Sequence, residues 1–171
     1  LDARQKILLL GNAPHPDLTA LRQALATGKN NEVEIDYASK FTGKFSDYDL
    51  VVLHELPSVK QAISSTLDKL QRSRVPTLFI LGEGAPARAV GGAQDLLSFT
   101  GTAGARGNDV SARAVPGFNL FTLSEDLLQA LPKFPPLTAP FGEFVVGPGA
   151  TTVLKQRIGR VDTDYPLIVV G

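Results

Sequence analysis

The chain has 171 residues, 43% of them apolar and 20% charged, with 17 basic side chains against 17 acidic ones. That is the composition of a globular domain with a sizeable core, and with no basic run or charge excess to follow a phosphate backbone, no nucleic-acid partner is expected. Zero Cys excludes disulfides, thiolate metal ligands and cysteine nucleophiles together. No stretch has the roughly 18–20 apolar residues of a membrane span, or the form of a signal peptide. With no Met anywhere and Leu at position 1, residues 1–171 read as a single domain excised from a longer protein.

In chain order, "KILLLG" (6–11) is a continuous apolar run closed by Gly, the pattern of a strand buried on both faces. "NAPHP" leads into "DLTALRQALA", where Leu18, Leu21 and Leu25 share a helical stripe, Pro16 suits the first turn and Gly28 the stop. "EVEIDYA" alternates, with Val33, Ile35 and Tyr37 on one face. "DLVVLHELP" gives a third strand around 50–53. Ser58 and Gln61 form a capping-box signature ahead of Val59, Ile63, Leu67 and Leu70, which are spaced as a helix face. Pro76 then precedes a fourth strand, "TLFIL". Strands alternating with helices over short connections predict an α/β fold with a doubly wound, largely parallel sheet.

Beyond Gly82 the glycine-rich stretch 82–107 offers only a short helical candidate at 94–99. "DVSARAV" and "FNLFTL" read as strands separated by Pro116 and Gly117, and Ser124 as the cap of "EDLLQAL" before Pro132. "KFPPLTAP" is too proline-rich for regular structure. "EFVVGPGATTVLKQRIG" reads as a hairpin around "GPGA", and "YPLIVV" as the last strand. No internal repeat or domain boundary is apparent.

Ligands of open α/β sheets bind at the carboxyl ends of the strands, near the switch in strand order. For the order 2-1-3-4 the relevant loops are "GNAPHPD", "HELPS" and "GEGAP". They hold both histidines, His15 and His54, with Asp17, Glu55, Glu83, Gly82 and Gly84. Each has a plainer reading: His15 at a helix start, His54 hydrogen-bonded at a strand end, Glu83 a surface carboxylate in a glycine turn. No H-x-x-H or H-x-x-x-H spacing is present, so no metal is expected, and no cofactor either. The phosphate motifs G-x-G-x-x-G and G-x-x-x-x-G-K-[ST] are absent, as is the hydrolase elbow G-x-S-x-G.

"KILLLGNAPHPDLTALRQAL", "FSDYDLVVLHELPS" and "VPTLFILGEGAP" resemble the first half of class I glutamine amidotransferase-like domains, including the PfpI-type and trehalose-utilisation-like proteins. The resemblance covers roughly residues 5–100. It implies a flavodoxin-like three-layer sandwich with a mainly parallel sheet, here with an extra β-hairpin in the C-terminal half. "FNLFTLS", "KFPPL", "PFG" and "QRIGRVDTDYPL" are similar to amidotransferase-like domains embedded in bacterial membrane-anchored proteins of the von Willebrand/aerotolerance type. That similarity implies a membrane-anchored parent protein and a periplasmic or extracytoplasmic domain, the alternative being cytoplasmic.

The family's chemistry needs a Cys at a strand-to-helix elbow and a His to deprotonate it. In this sequence the nucleophile position falls on Gly84 or Gly82, and the His of the late His-Pro motif on Tyr165, beside Pro166. The resemblance therefore implies a catalytically inactive domain that binds a protein partner or a small ligand. The alternative is a small-ligand, sugar-related hydrolase using His15, His54, Glu55 and Glu83. A third reading, a spacer or oligomerisation platform, points to an apolar patch around "APFGEFVVG".

Overall fold

A computed structural model describes residues 4–102 and 105–171, so Leu1 and Gly104 lie outside the described residues. The chain is α/β and divides into two compact units, Leu1–Gly82 and Glu83–Gly171. No break in composition marks the division, and the sequence offered no boundary there.

The first unit is built on β1 (Gln5–Gly11), α1 (Pro16–Leu25), β2 (Asn31–Tyr37), β3 (Leu50–His54), α2 (Ser64–Ser73) and β4 (Thr77–Ile80). Its four strands are parallel in the order β2-β1-β3-β4, as the alternation of elements predicted. Central strands β1 and β3 are buried on both faces over Ile7–Gly11 and Val51–His54, which is why those stretches read as unbroken apolar runs. On one face Ile7, Leu9 and Val52 pack with Leu18 of α1, and Leu21, Leu25, Val33 and Ile35 close around them. On the other, Leu8, Leu10, Val51 and Leu53 are wholly buried. Each such Leu contributes roughly 1.5–3 kcal/mol relative to exposure. Pro16 opens α1 with its fixed φ and missing N–H, at the position where neither costs anything.

The predicted capping box is a different structure. Ser58 Oγ does accept from the Gln61 N–H (3.0 Å), but residues 58–61 form a tight turn, and α2 starts only at Ser64. A capping box needs the Gln61 side chain to reach back to the Ser58 N–H. Here it donates to the Asn12 carbonyl instead (2.8 Å), and the Ser58 N–H is taken by the Gln61 carbonyl. Val59, assigned to the helix face, is exposed. Leu67 and Leu70 do supply the buried face of α2.

The second unit contains α3 (Ala87–Ala93), β5 (Leu97–Thr100), β6 (Asn108–Ala114), α4 (Glu125–Ala130), β7 (Leu137–Ala139), β8 (Glu143–Val146), β9 (Thr151–Ile158) and β10 (Val161–Val170). Its sheets are antiparallel: β10-β9-β6-β7 and the pair β5-β8. The parallel sheet therefore holds four strands rather than extending through the chain.

Four local expectations are corrected. The helical candidate at 94–99 is the end of one element and the start of another. Gln94 Oε1 accepts from the N–H groups of both Leu96 and Leu97 (2.8 Å each), which stops α3 and releases Leu97 into β5. "FNLFTL" is not a strand: Phe118 turns inward beside Leu131, Val153 and Leu154, and its ring meets Phe121 edge-on at 4.7 Å. "KFPPLTAP" is not wholly irregular, since its last residues form the short edge strand β7 along β6. The strands flanking "GPGA" belong to different sheets, with β8 on β5 and β9 between β6 and β10. The hairpin of the C-terminal half is β9–β10, turned at Gly159, whose φ of +58° suits a residue without a Cβ. Ser124 caps α4 as expected, its Oγ accepting from the Leu127 N–H (3.2 Å).

On the β10-β9-β6 face of this sheet, Asp162 of β10 pairs with Arg113 of β6 and Arg157 of β9, and Asp164 of β10 with Lys155 of β9 (2.7 Å). The Arg113 hydrogen bond is the main force holding the Asp162 carboxyl below its ordinary range, and Lys155 does the same for Asp164. In "APFGEFVVG", Phe141 and Val145 are exposed while Ala139 is buried. Among the described residues no helix is long and apolar enough to cross a membrane.

Candidate functional site

The site is built at the carboxyl ends of β1 and β3, inside the first unit. β1 closes with Gly11, where a Cβ would stand 2.7 Å from Leu18 Cδ1, so only Gly lets α1 lie this close to the strand end. The chain then stays paired with β3 for one more residue, the Asn12 N–H donating to the His54 carbonyl (3.0 Å). Asn12 also ties down the loop after β3. Ser58 Oγ donates to Asn12 Oδ1 (3.1 Å), and Gln61 Nε2 to the Asn12 carbonyl. Two loops far apart in sequence are thereby fixed to each other.

On this frame His15, the residue before α1, comes to rest beside His54, the last residue of β3. Their ring centroids are 5.1 Å apart, tilted by 39°. Asp17 lies between them: its Oδ2 is 3.4 Å from His15 Nδ1 and 3.4 Å from His54 Nε2. All three ligand-type atoms fall within 4.8 Å of one another. The Asp17 N–H donates to His15 Nδ1 (3.2 Å). His54 is 2% exposed, and its Nδ1 has no hydrogen-bond partner among the described residues. A buried imidazole held by one long contact is an unusual expense for a strand end.

Of the other predicted site residues, Glu55 follows His54 directly with a left-handed backbone, φ +55°. A non-glycine residue in that region is strained, and such residues gather at functional sites. Its side chain lies against Gly82: a Cβ built there would meet Glu55 Cγ at 3.3 Å and Cβ at 3.4 Å. Glu83 belongs to the second unit, exposed, with its carboxylate accepting from the Gly107 N–H (3.4 Å). Gly84 sits in the turn between β4 and α3. Tyr165 stacks obliquely on Phe144 at 5.6 Å within β10, a packing role. The structure thus joins His15 and His54 through Asp17, with Asn12, Ser58 and Gln61 as the braces. Asp17 was visible in the loop sequence. The three braces carried no signal beyond the misleading capping pattern.

Matched against family models, curated proteins and solved structures, the chain finds no counterpart in any of the three.

Proposed function

We propose that the chain is a catalytically silent, class I glutamine amidotransferase-like module of flavodoxin-like type, serving a larger, membrane-anchored protein by binding a ligand or partner. The observation that carries this reading is at Gly82. A nucleophile there would need a side chain, and its Cβ would meet Glu55 Cγ at 3.3 Å, so the Glu55 side chain would have to give. The other aligned nucleophile position, Gly84, has no side chain either, and the position of the late general base is a packed tyrosine. Loss of nucleophile or base alone removes several orders of magnitude of rate. What supports a binding role is the cluster of His15, Asp17 and His54 at the strand carboxyl ends, the place where sheets of this kind hold ligands.

The test is ammonia release from glutamine by the purified chain. The expected rate is that of buffer. Glutamine turnover would overturn the silent reading; the second reading, a small-ligand, sugar-related hydrolase, predicts instead hydrolysis of a sugar-type substrate that disappears in His15→Ala. The convergence of two imidazoles on one carboxylate is the observation favouring that alternative, since general acid–base work needs such groups in mutual reach.

A further inference from the structure

The geometry points to a binding site for a divalent first-row transition-metal ion of the zinc type, held by His15 Nδ1, His54 Nε2 and Asp17 Oδ2. This rests on the reading that the strand-end cluster is the working site, and it names that site's ligand.

His15 Nδ1 and His54 Nε2 both face Asp17 Oδ2. Both N···O separations, at 3.4 Å, exceed the usual N–H···O range of about 2.7–3.2 Å. They match the ligand–ligand edge of about 3.4 Å that a tetrahedron with metal bonds of about 2.0–2.2 Å requires. The remaining pair, the two nitrogens, lies within 4.8 Å, so closing the set takes at most about 1.4 Å of movement. His15 is exposed and makes that movement by giving up the Asp17 N–H at its Nδ1 to the ion.

His54 is 2% exposed, and among the described residues the hydrogen-bond partner of its Nε2 is Asp17 Oδ2, at 3.4 Å. A metal bond would replace that weak contact with a strong one. The chain has only two histidines, and no Cys or Met. Every imidazole it possesses is therefore at this point, and no sulfur ligand competes elsewhere.

The donor set decides the class of ion. Two imidazoles and one carboxylate suit Zn²⁺, Co²⁺, Ni²⁺ or Fe²⁺, whereas Mg²⁺ and Ca²⁺ require mostly oxygen. Three protein ligands leave at least one coordination position for water or a donor atom of a bound partner. Two features moderate the affinity. The N-terminus of α1 presents a positive dipole end, which Asp17 offsets. His54 Nδ1 also lacks the partner that usually orients a ligating imidazole, a deficit that costs about 10–100-fold. Binding weaker than that of a structural zinc site follows.

The experiment is calorimetric titration of the untagged full chain with Zn²⁺, with Co²⁺ absorption as a reporter of coordination and Mg²⁺ as control. One equivalent of Zn²⁺ binds, Co²⁺ gives the visible bands of a four- or five-coordinate ion, and Mg²⁺ gives no heat. His15→Ala and Asp17→Asn, both at exposed positions, each weaken Zn²⁺ at least about 10-fold while circular dichroism stays unchanged. Absence of Zn²⁺ binding, or unaltered affinity in both variants, overturns the metal site. Neither result touches the glutamine assay. Conversely, glutamine turnover in a chain that binds Zn²⁺ overturns the silent reading and leaves the metal site standing.

Discussion

Gly11 and Asn12 decide where the two histidines meet. Gly11 lets α1 begin directly over the strand end, and Asn12 stitches the loop after β1 to the loop after β3. Gly11→Ala would force its new methyl against Leu18 Cδ1, in the middle of the first unit's core. Such overpacking costs about 1–3 kcal/mol, so urea unfolding should show a lower midpoint with an unchanged slope; a wild-type midpoint would mean the strand end has slack. Tyr48 offers a second residue-scale check. Burial, reinforced by its 2.8 Å hydrogen bond to Glu34, pushes its phenol up to about 12. A raised value means that the folded state holds the proton more tightly. The contribution to stability is full below the ordinary tyrosine range near 10 and is lost as pH rises through about 12. In an ultraviolet titration Tyr48→Phe should abolish the most alkaline phenolate step.

At the scale of elements, what the sequence disclosed follows from how each element is satisfied. β1 and β3 are buried on both faces, so their identity is written in consecutive residues, and α1 carries its own stripe and its own Pro16. Elements whose partners are distant were not legible. "GPGA" has the chemistry of a hairpin turn, yet β8 and β9 find their hydrogen bonds on β5 and β6. Nothing local distinguishes the two outcomes. The Ser58 and Gln61 pair failed differently, because the Gln61 side chain had a better acceptor in Asn12 than its local one. Gln94 stops α3 through its own side chain, also donating to the Val90 and Leu97 carbonyls. Gln94→Ala leaves the N–H groups of Leu96 and Leu97 without these acceptors, at a cost of about 1–3 kcal/mol. The expected signature is faster amide hydrogen exchange at Leu96 and Leu97; unchanged protection would assign the stop to the flanking strands instead.

At the scale of the molecule, the parallel sheet and the site come from one unit, and the antiparallel sheets from the other. The rule that ligands collect at strand carboxyl ends located both histidines from sequence alone. It could not supply their contact, because that depends on the Asn12–His54 backbone bond and the precise packing of α1. Glu83, which it also grouped with them, accepts from the Gly107 N–H in the second unit. The central claim is that His15, Asp17 and His54 form one ligand-binding centre. With only two imidazoles in the chain, histidine side-chain nitrogen NMR reads that claim directly. One equivalent of Zn²⁺ should shift both rings together, with the metal on Nδ1 of His15 and Nε2 of His54. Two unmoved rings, or a shift confined to one of them, would contradict it.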